Sequence, residues 1–167
     1  MLIGCFDVHY RDPRAAVACV VLSSWQAKAA SECIVKIVDR VAPYQPGAFY
    51  RRELPCIEVA LEALRVVPDI LVIDGYVWLG QGRKGLGAHL YERMGMGPAV
   101  IGIAKSAFIG AEPVQEVLRG QSQQPLYISA AGIDLDEACA HVKEMFGDFR
   151  TPWAMLEADR LAREHVV

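Results

Sequence analysis

Apolar residues come in short strand-length runs at the start of the chain and spread to helical spacing further on, which predicts a change of element type along it. Leu2 to Val8, Ala15 to Leu22 and about Cys33 to Val38 read as three strands. The turn Arg11-Asp12-Pro13-Arg14 and the polar Ser23-Ser24 region separate them, and such connections predict antiparallel neighbours. Beyond the loop Pro43-Tyr44-Gln45-Pro46-Gly47, residues Leu54, Ile57, Ala60, Leu61 and Leu64 follow a helical period, so Glu53 stands near the start of an amphipathic helix. Ile70 to Asp74 reads as a buried strand. The run Gly80 to Gly87 is too rich in glycine to begin a helix and leads into one over about Ala88 to Met94. Ala99 to Ala104 is the next strand, and Val114 to Leu118 and Leu126 to Ser129 are two more, joined by Gly120-Gln121-Ser122-Gln123-Gln124. Two helices close the chain, Asp134 to Phe146 with an Asp134/Glu137 capping pair and Pro152 to about Glu164.

Three antiparallel strands followed by alternating helices and strands is the order of a ribonuclease-H-like α/β fold, a mixed central sheet with helices on both faces and an acid on its central first strand. At 167 residues and 53% hydrophobic, the chain is expected to form one domain over 1–167 with a full core. No apolar stretch approaches the roughly 18 residues of a membrane span. The start Met1-Leu2-Ile3-Gly4 also lacks a signal peptide's basic region, so a cytoplasmic protein with no membrane partner is expected. The five cysteines are widely spaced, without a CxxC or Cys/His cluster, and read as reduced core residues. A net charge of -3 argues against a protein that coats nucleic acid non-specifically. A local basic rim drawn from Arg51, Arg52, Arg83, Lys84, Lys105, Arg119 and Arg150 remains compatible with it.

The candidate chemistry lies in the acids. Asp7 sits inside one apolar run and Asp74 ends another, where an ionised carboxylate costs several kcal/mol unless a cation or hydrogen bonds compensate it. With Glu53 between them in sequence, they form a candidate site for Mg²⁺ or Mn²⁺. Each has a plainer reading alone: Asp74-Gly75 as a strand-ending turn, Asp7 paired with an arginine, Glu53 favoured by a helix dipole. Lys105 directly follows a buried strand and suits a scissile phosphate. Tyr44, stiffened between Pro43 and Pro46, suits a wedge into a base stack. His89 is a candidate for indirect support of the site, whereas His9, His141 and His165 show no partner spacing. The Gly80 to Gly87 run lacks the Gly-Lys-Ser/Thr ending of a P-loop and reads better as a loop that contacts a strand or a base.

Taken in order, several segments resemble the endonuclease V family of deoxyinosine-directed nucleases over nearly the whole chain. They are Gly4-Cys5-Phe6-Asp7-Val8, Pro43-Tyr44-Gln45-Pro46-Gly47 with Arg52-Glu53, Pro68 to Gly75, Gly85-Leu86-Gly87-Ala88-His89, Ile101 to Lys105, and Pro125-Leu126-Tyr127-Ile128. The resemblance implies cleavage of one nucleic-acid strand near a deaminated purine such as inosine, in DNA or RNA, with Mg²⁺ or Mn²⁺. It assigns Asp7 and Asp74 as metal ligands, Glu53 as a ligand or water-positioning group, and Lys105 to the phosphate. Tyr44, Pro46, Gly47, Arg52, Gly75 and His89 fall on the nucleic-acid side.

The chain also departs from the family pattern. Where the family usually has Gly-His after the strand Leu126 to Ser129, this chain reads Ser129-Ala130-Ala131-Gly132-Ile133. Tyr76 and Gly80 replace His or Gln and then His, and Leu156 replaces an Arg before the final Ala-Asp pair. The segment that commonly precedes the family's first strand does not precede it here. Two alternatives follow: a relative that binds nucleic acid or a partner protein without cutting, and a nuclease turned to RNA or another lesion. Asp134 and Asp136 are candidates for the absent ligand, although the spacing of Asp134 to Glu137 is that of a helix cap.

Overall fold

The apolar runs pair into a seven-stranded sheet in the computed structural model, which describes residues 1–167. β1 (Ile3–Arg11), β2 (Arg14–Leu22) and β3 (Glu32–Val38) form an antiparallel meander. On its other side β1 pairs in parallel with β4 (Ile70–Asp74), and β4 in parallel with β7 (Ala99–Ala104). β9 (Leu126–Ala131) is antiparallel to β7, and β8 (Gln115–Val117) forms the edge. The order β3-β2-β1-β4-β7-β9-β8 puts the acid-bearing β1 and β4 side by side, well inside the sheet.

Alternation along each strand sends successive side chains to opposite faces, and each face receives two helices. Phe6, Leu71 and Ile73 pack with Leu54, Ile57 and Leu61 of α1 (Tyr50–Ala63) and Leu90 of α2 (Leu86–Arg93). Ile3, Cys5, Ile70 and Val72 point the other way, to α3 (Leu135–Glu144) and α4 (Trp153–His165). The buried stripe of α4 includes Ala154, Ala158 and Ala162, small residues at every fourth position that let the helix lie close over β1 and β2.

Several expectations need correction. β1 runs past Val8 because pairing continues to Arg11 opposite Arg14, although the last side chains are polar. The glycine-rich stretch contains a hairpin, β5 (Trp78–Gly80) with β6 (Arg83–Lys84), and α2 begins at Leu86 rather than Ala88. Gly87 there serves close packing: a Cβ on it would lie 2.6 Å from Val77 Cγ2. Cys33 is exposed while the other four cysteines are buried, and all five are free. The basic rim is also smaller than its sequence inventory. Arg119 is buried and donates to the carbonyls of Met145, Gly147, Phe149 and Arg150, Arg150 donates to those of Lys105 and Pro125, and Lys84 pairs with Glu92. No helix is long and apolar enough to cross a membrane.

Candidate active site

The register of two parallel strands brings the first two acids together. The ladder between β1 and β4 ends at Phe6 opposite Ile73, and one residue further on stand Asp7 and Asp74, at a strand spacing of about 4.8 Å. By alternation both fall on the α4 face of the sheet, the face of Cys5 and Val72. Asp74 in turn pairs with Ile103 of β7, so Lys105, two residues on, shares that face. Its Nζ lies 3.6 Å from Asp74 Oδ2. This is the carboxyl end of parallel strands, where α/β sheets open to ligands.

Two residues not expected at the site complete the cluster. α4 carries Asp159 across the end of β1, where Asp159 Oδ1 lies 2.7 Å from His9 Nε2, and the same nitrogen is 3.7 Å from Asp7 Oδ2. Ligand atoms of Asp7, His9 and Asp159 all lie within 4.8 Å of one another. The signal for Asp159 was its place beside buried Ala158 and four residues after buried Met155, on the flank of a helix face that packs on β1. For His9 it was simple alternation, two residues after Asp7. Asp134 and Asp136, the sequence's candidates for a further ligand, make contacts within the fold. Asp134 Oδ1 caps α3 by accepting from Glu137 N at 3.1 Å, and Asp136 accepts from Gln115 at 2.5 Å.

Glu53 enters from α1 and is 5% exposed, with no cation paired to it. Burial, and then the charges of Asp7 and Asp74, push its carboxyl well above the usual range, against a smaller opposing effect of Tyr10. Asp7 is pushed up to about 7 by burial, then by Asp74 and Asp159, with Lys105 opposing. Burial also pushes Asp159 upward, but the hydrogen bond with His9 and the charge of Arg163 outweigh it and leave this carboxyl below its ordinary value. Carboxylates buried together with too little positive charge are a donor set suited to a divalent cation.

Beside the acids opens a cleft of about 270 Å³ whose wall includes Tyr44, Gly47, Tyr50, Tyr76 and Phe108 and reaches Asp74 and Gly75. The turn after β4 is fixed from below. Gly75 adopts φ 141°, Val77 N–H donates to Ser129 Oγ at 2.8 Å, and a Cβ on Gly102 would lie 2.5 Å from the Gly75 carbonyl. Ser129 therefore braces the turn that carries Asp74. Tyr44 is 60% exposed at the cleft mouth, in a loop where Pro46 is exposed and Gly47 takes φ 76°. His89 supports the cleft from behind, its ring stacked 3.7 Å from that of Tyr50; burial and then Lys84 lower its pKa. Arg52 is turned inward: it pairs with Asp12 and lies 4.0 Å over the Tyr10 ring.

A family model, endonuclease V, matches residues 1–160. The chain belongs to the endonuclease V family. It is 34% identical over 180 residues to endonuclease V of Streptomyces avermitilis, covering 94% of this chain and 77% of that protein. Endonuclease V of Thermococcus kodakarensis is 32% identical, covering 98% and 78%. Among solved structures, endonuclease V of Streptomyces avermitilis superposes with a TM-score of 0.76 at 27% identity over 98% of this chain and 80% of that one. Endonuclease V of Ciona intestinalis, in complex with a 24mer DNA containing an inosine followed by a ribo-adenosine, gives a TM-score of 0.85 at 22% identity, covering 98% and 84%. The endonuclease V family is one of nucleases, and membership places the chain among the hydrolases.

Proposed function

We propose that the chain is a metal-dependent endonuclease that cuts one nucleic-acid strand near a deaminated purine such as inosine. The observation that carries this reading is the convergence of buried acids with an aromatic cleft of about 270 Å³ that shares Asp74 with them. A cleft of that size suits a single extruded base, held by stacking and by contacts to its edge.

Asp7, Asp74 and Asp159 would hold the cation, Mg²⁺ or Mn²⁺, with Glu53 as a further ligand or as the group that orients the attacking water. When bound, the ion supplies a water acidic enough to attack phosphorus and a counter-charge for the leaving oxygen. Asp7 and Glu53 release the protons that burial favours in the metal-free site, so binding strengthens as pH rises. Lys105 Nζ steadies a non-bridging phosphate oxygen and the charge that develops on it. Tyr44 fills the gap in the base stack, and the aromatic walls take the displaced base. Cytoplasmic nucleic acid, DNA or RNA, is the partner this reading implies.

The test is a nicking assay on inosine-containing and matched control strands, as DNA and as RNA, with Mg²⁺, Mn²⁺ or EDTA. The expected result is metal-dependent cleavage of the inosine strand alone. Tight binding of that strand with no nicking under any ion would replace this reading with the non-cutting alternative.

A further inference from the structure

We propose that His9 is itself a metal ligand, so that this chain's centre is a mixed carboxylate–imidazole site favouring first-row transition ions over Mg²⁺. The inference rests on the metal-centre reading above and concerns the ligand set and its selectivity.

Four observations carry it. His9 follows Asp7 by two residues on β1, so the strand aims both side chains to the same face. Its Nε2 stands between two carboxylates, 2.7 Å from Asp159 Oδ1 and 3.7 Å from Asp7 Oδ2. Ligand bonds of about 2.1 Å place neighbouring ligand atoms about 3.0 Å apart in an octahedron and about 3.4 Å apart in a tetrahedron, so these separations bracket the edges of a coordination shell. Arg163 holds the other Asp159 oxygen at 2.9 Å, which leaves Oδ1 directed toward His9 and Asp7. The surroundings also call for a cation: Glu53 is 5% exposed and has no paired cation.

The chemical consequence follows from ligand type. Carboxylate and water suit Mg²⁺, which rarely takes nitrogen, whereas imidazole adds affinity for first-row ions in an order that rises from Mn²⁺ through Co²⁺ to Cu²⁺, with Zn²⁺ also strongly bound. A centre containing His9 therefore discriminates against Mg²⁺ more than one built from carboxylates alone.

The experiment is calorimetric titration of the metal-free protein, its His9→Ala and His9→Gln variants and Asp7→Asn with Mg²⁺, Mn²⁺ and Co²⁺, together with pulsed electron paramagnetic resonance of the Mn²⁺ forms. His9 is partly exposed, and thermal unfolding in EDTA checks that each variant is folded. Even a partner outside the ligand shell is worth about 10–100-fold in affinity, so His9→Ala should lose at least about tenfold for Mn²⁺ and Co²⁺ while Mg²⁺ binding changes far less. The wild-type Mn²⁺ spectrum should show coupling to an imidazole nitrogen that both His9 variants lack. Unchanged affinities without nitrogen coupling would remove His9 from the shell while leaving the metal centre intact. Full recovery of wild-type selectivity in His9→Gln, which keeps a hydrogen-bond donor toward Asp159, would reduce His9 to a positioning role and overturn the proposal. Wild type binding no better than Asp7→Asn would instead remove the metal centre itself, and His9 with it.

Discussion

At the scale of single residues, the site is marked by groups placed where they are costly without a ligand. Asp7 and Asp74 meet because parallel strands carry them to the same level, and the charge of Asp74 opposes ionisation of Asp7. Asp7→Asn and Asp74→Asn should each abolish metal-dependent nicking. In EDTA above neutral pH, Asp7→Asn should also raise Tm, since a gain on the order of 1 kcal/mol moves the midpoint of a chain this size by about 2–4 °C. Wild-type nicking by either variant would place the ions elsewhere. Tyr44 is a different kind of residue, exposed on its loop, with the Phe49 ring 6.5 Å away. Tyr44→Ala should weaken binding of inosine-containing strands by about 1–3 kcal/mol with little change in Tm. Equal affinity of wild type and variant in a fluorescence titration would remove the wedge.

At the scale of elements, the turn after β4 is fixed by β7 and β9. Ser129 accepts from the buried Val77 N–H, so Ser129→Ala should cost about 1–3 kcal/mol by orphaning that donor. Because this turn follows Asp74 directly, cleavage should fall along with stability, which paired melting and nicking curves would read. A contrasting case is Asp134, whose carboxylate caps α3. Asp134→Ser should leave Tm and the metal titration of nicking unchanged, since serine caps nearly as well. A raised metal requirement in that variant would return Asp134 to the ligand set.

At the scale of the whole molecule, clustered acids tie stability to pH. Burial and its acidic neighbours push folded Asp7 up to about 7 from an ordinary 3.8, so between those values the folded state binds more protons than the unfolded one. Stability contributed by that proton is therefore present at low pH and lost as pH rises through the folded value, and Glu53 acts in the same direction. Metal-free Tm should fall from about pH 5 to about pH 8, and saturating Mn²⁺ should flatten or reverse the trend, because the ion binds the ionised carboxylates. A Tm that rises with pH in EDTA would contradict the buried, mutually repelling acids. How much of this was written in the chain itself differs from element to element. Apolar runs sufficed for the three antiparallel strands and for β4 and β7, and helical spacing for α1, because burial of one face or both leaves a periodic trace, while α3 and α4 were legible from the Asp134/Glu137 capping pair and the Pro152 start. The acids of β1 and β4 stood out for the related reason that charge inside an apolar run is rare. The β5–β6 hairpin left little trace, because three residues pairing with two bury no repeating face. Asp159 joined Asp7 and His9 only through the packing of α4 across β1, and the roles of Arg119, Arg150 and Arg52 followed from which carbonyls or acids lay within reach. Local periodicity fixes what each segment becomes, whereas distant residues are made neighbours by strand register and helix docking, which no local pattern encodes.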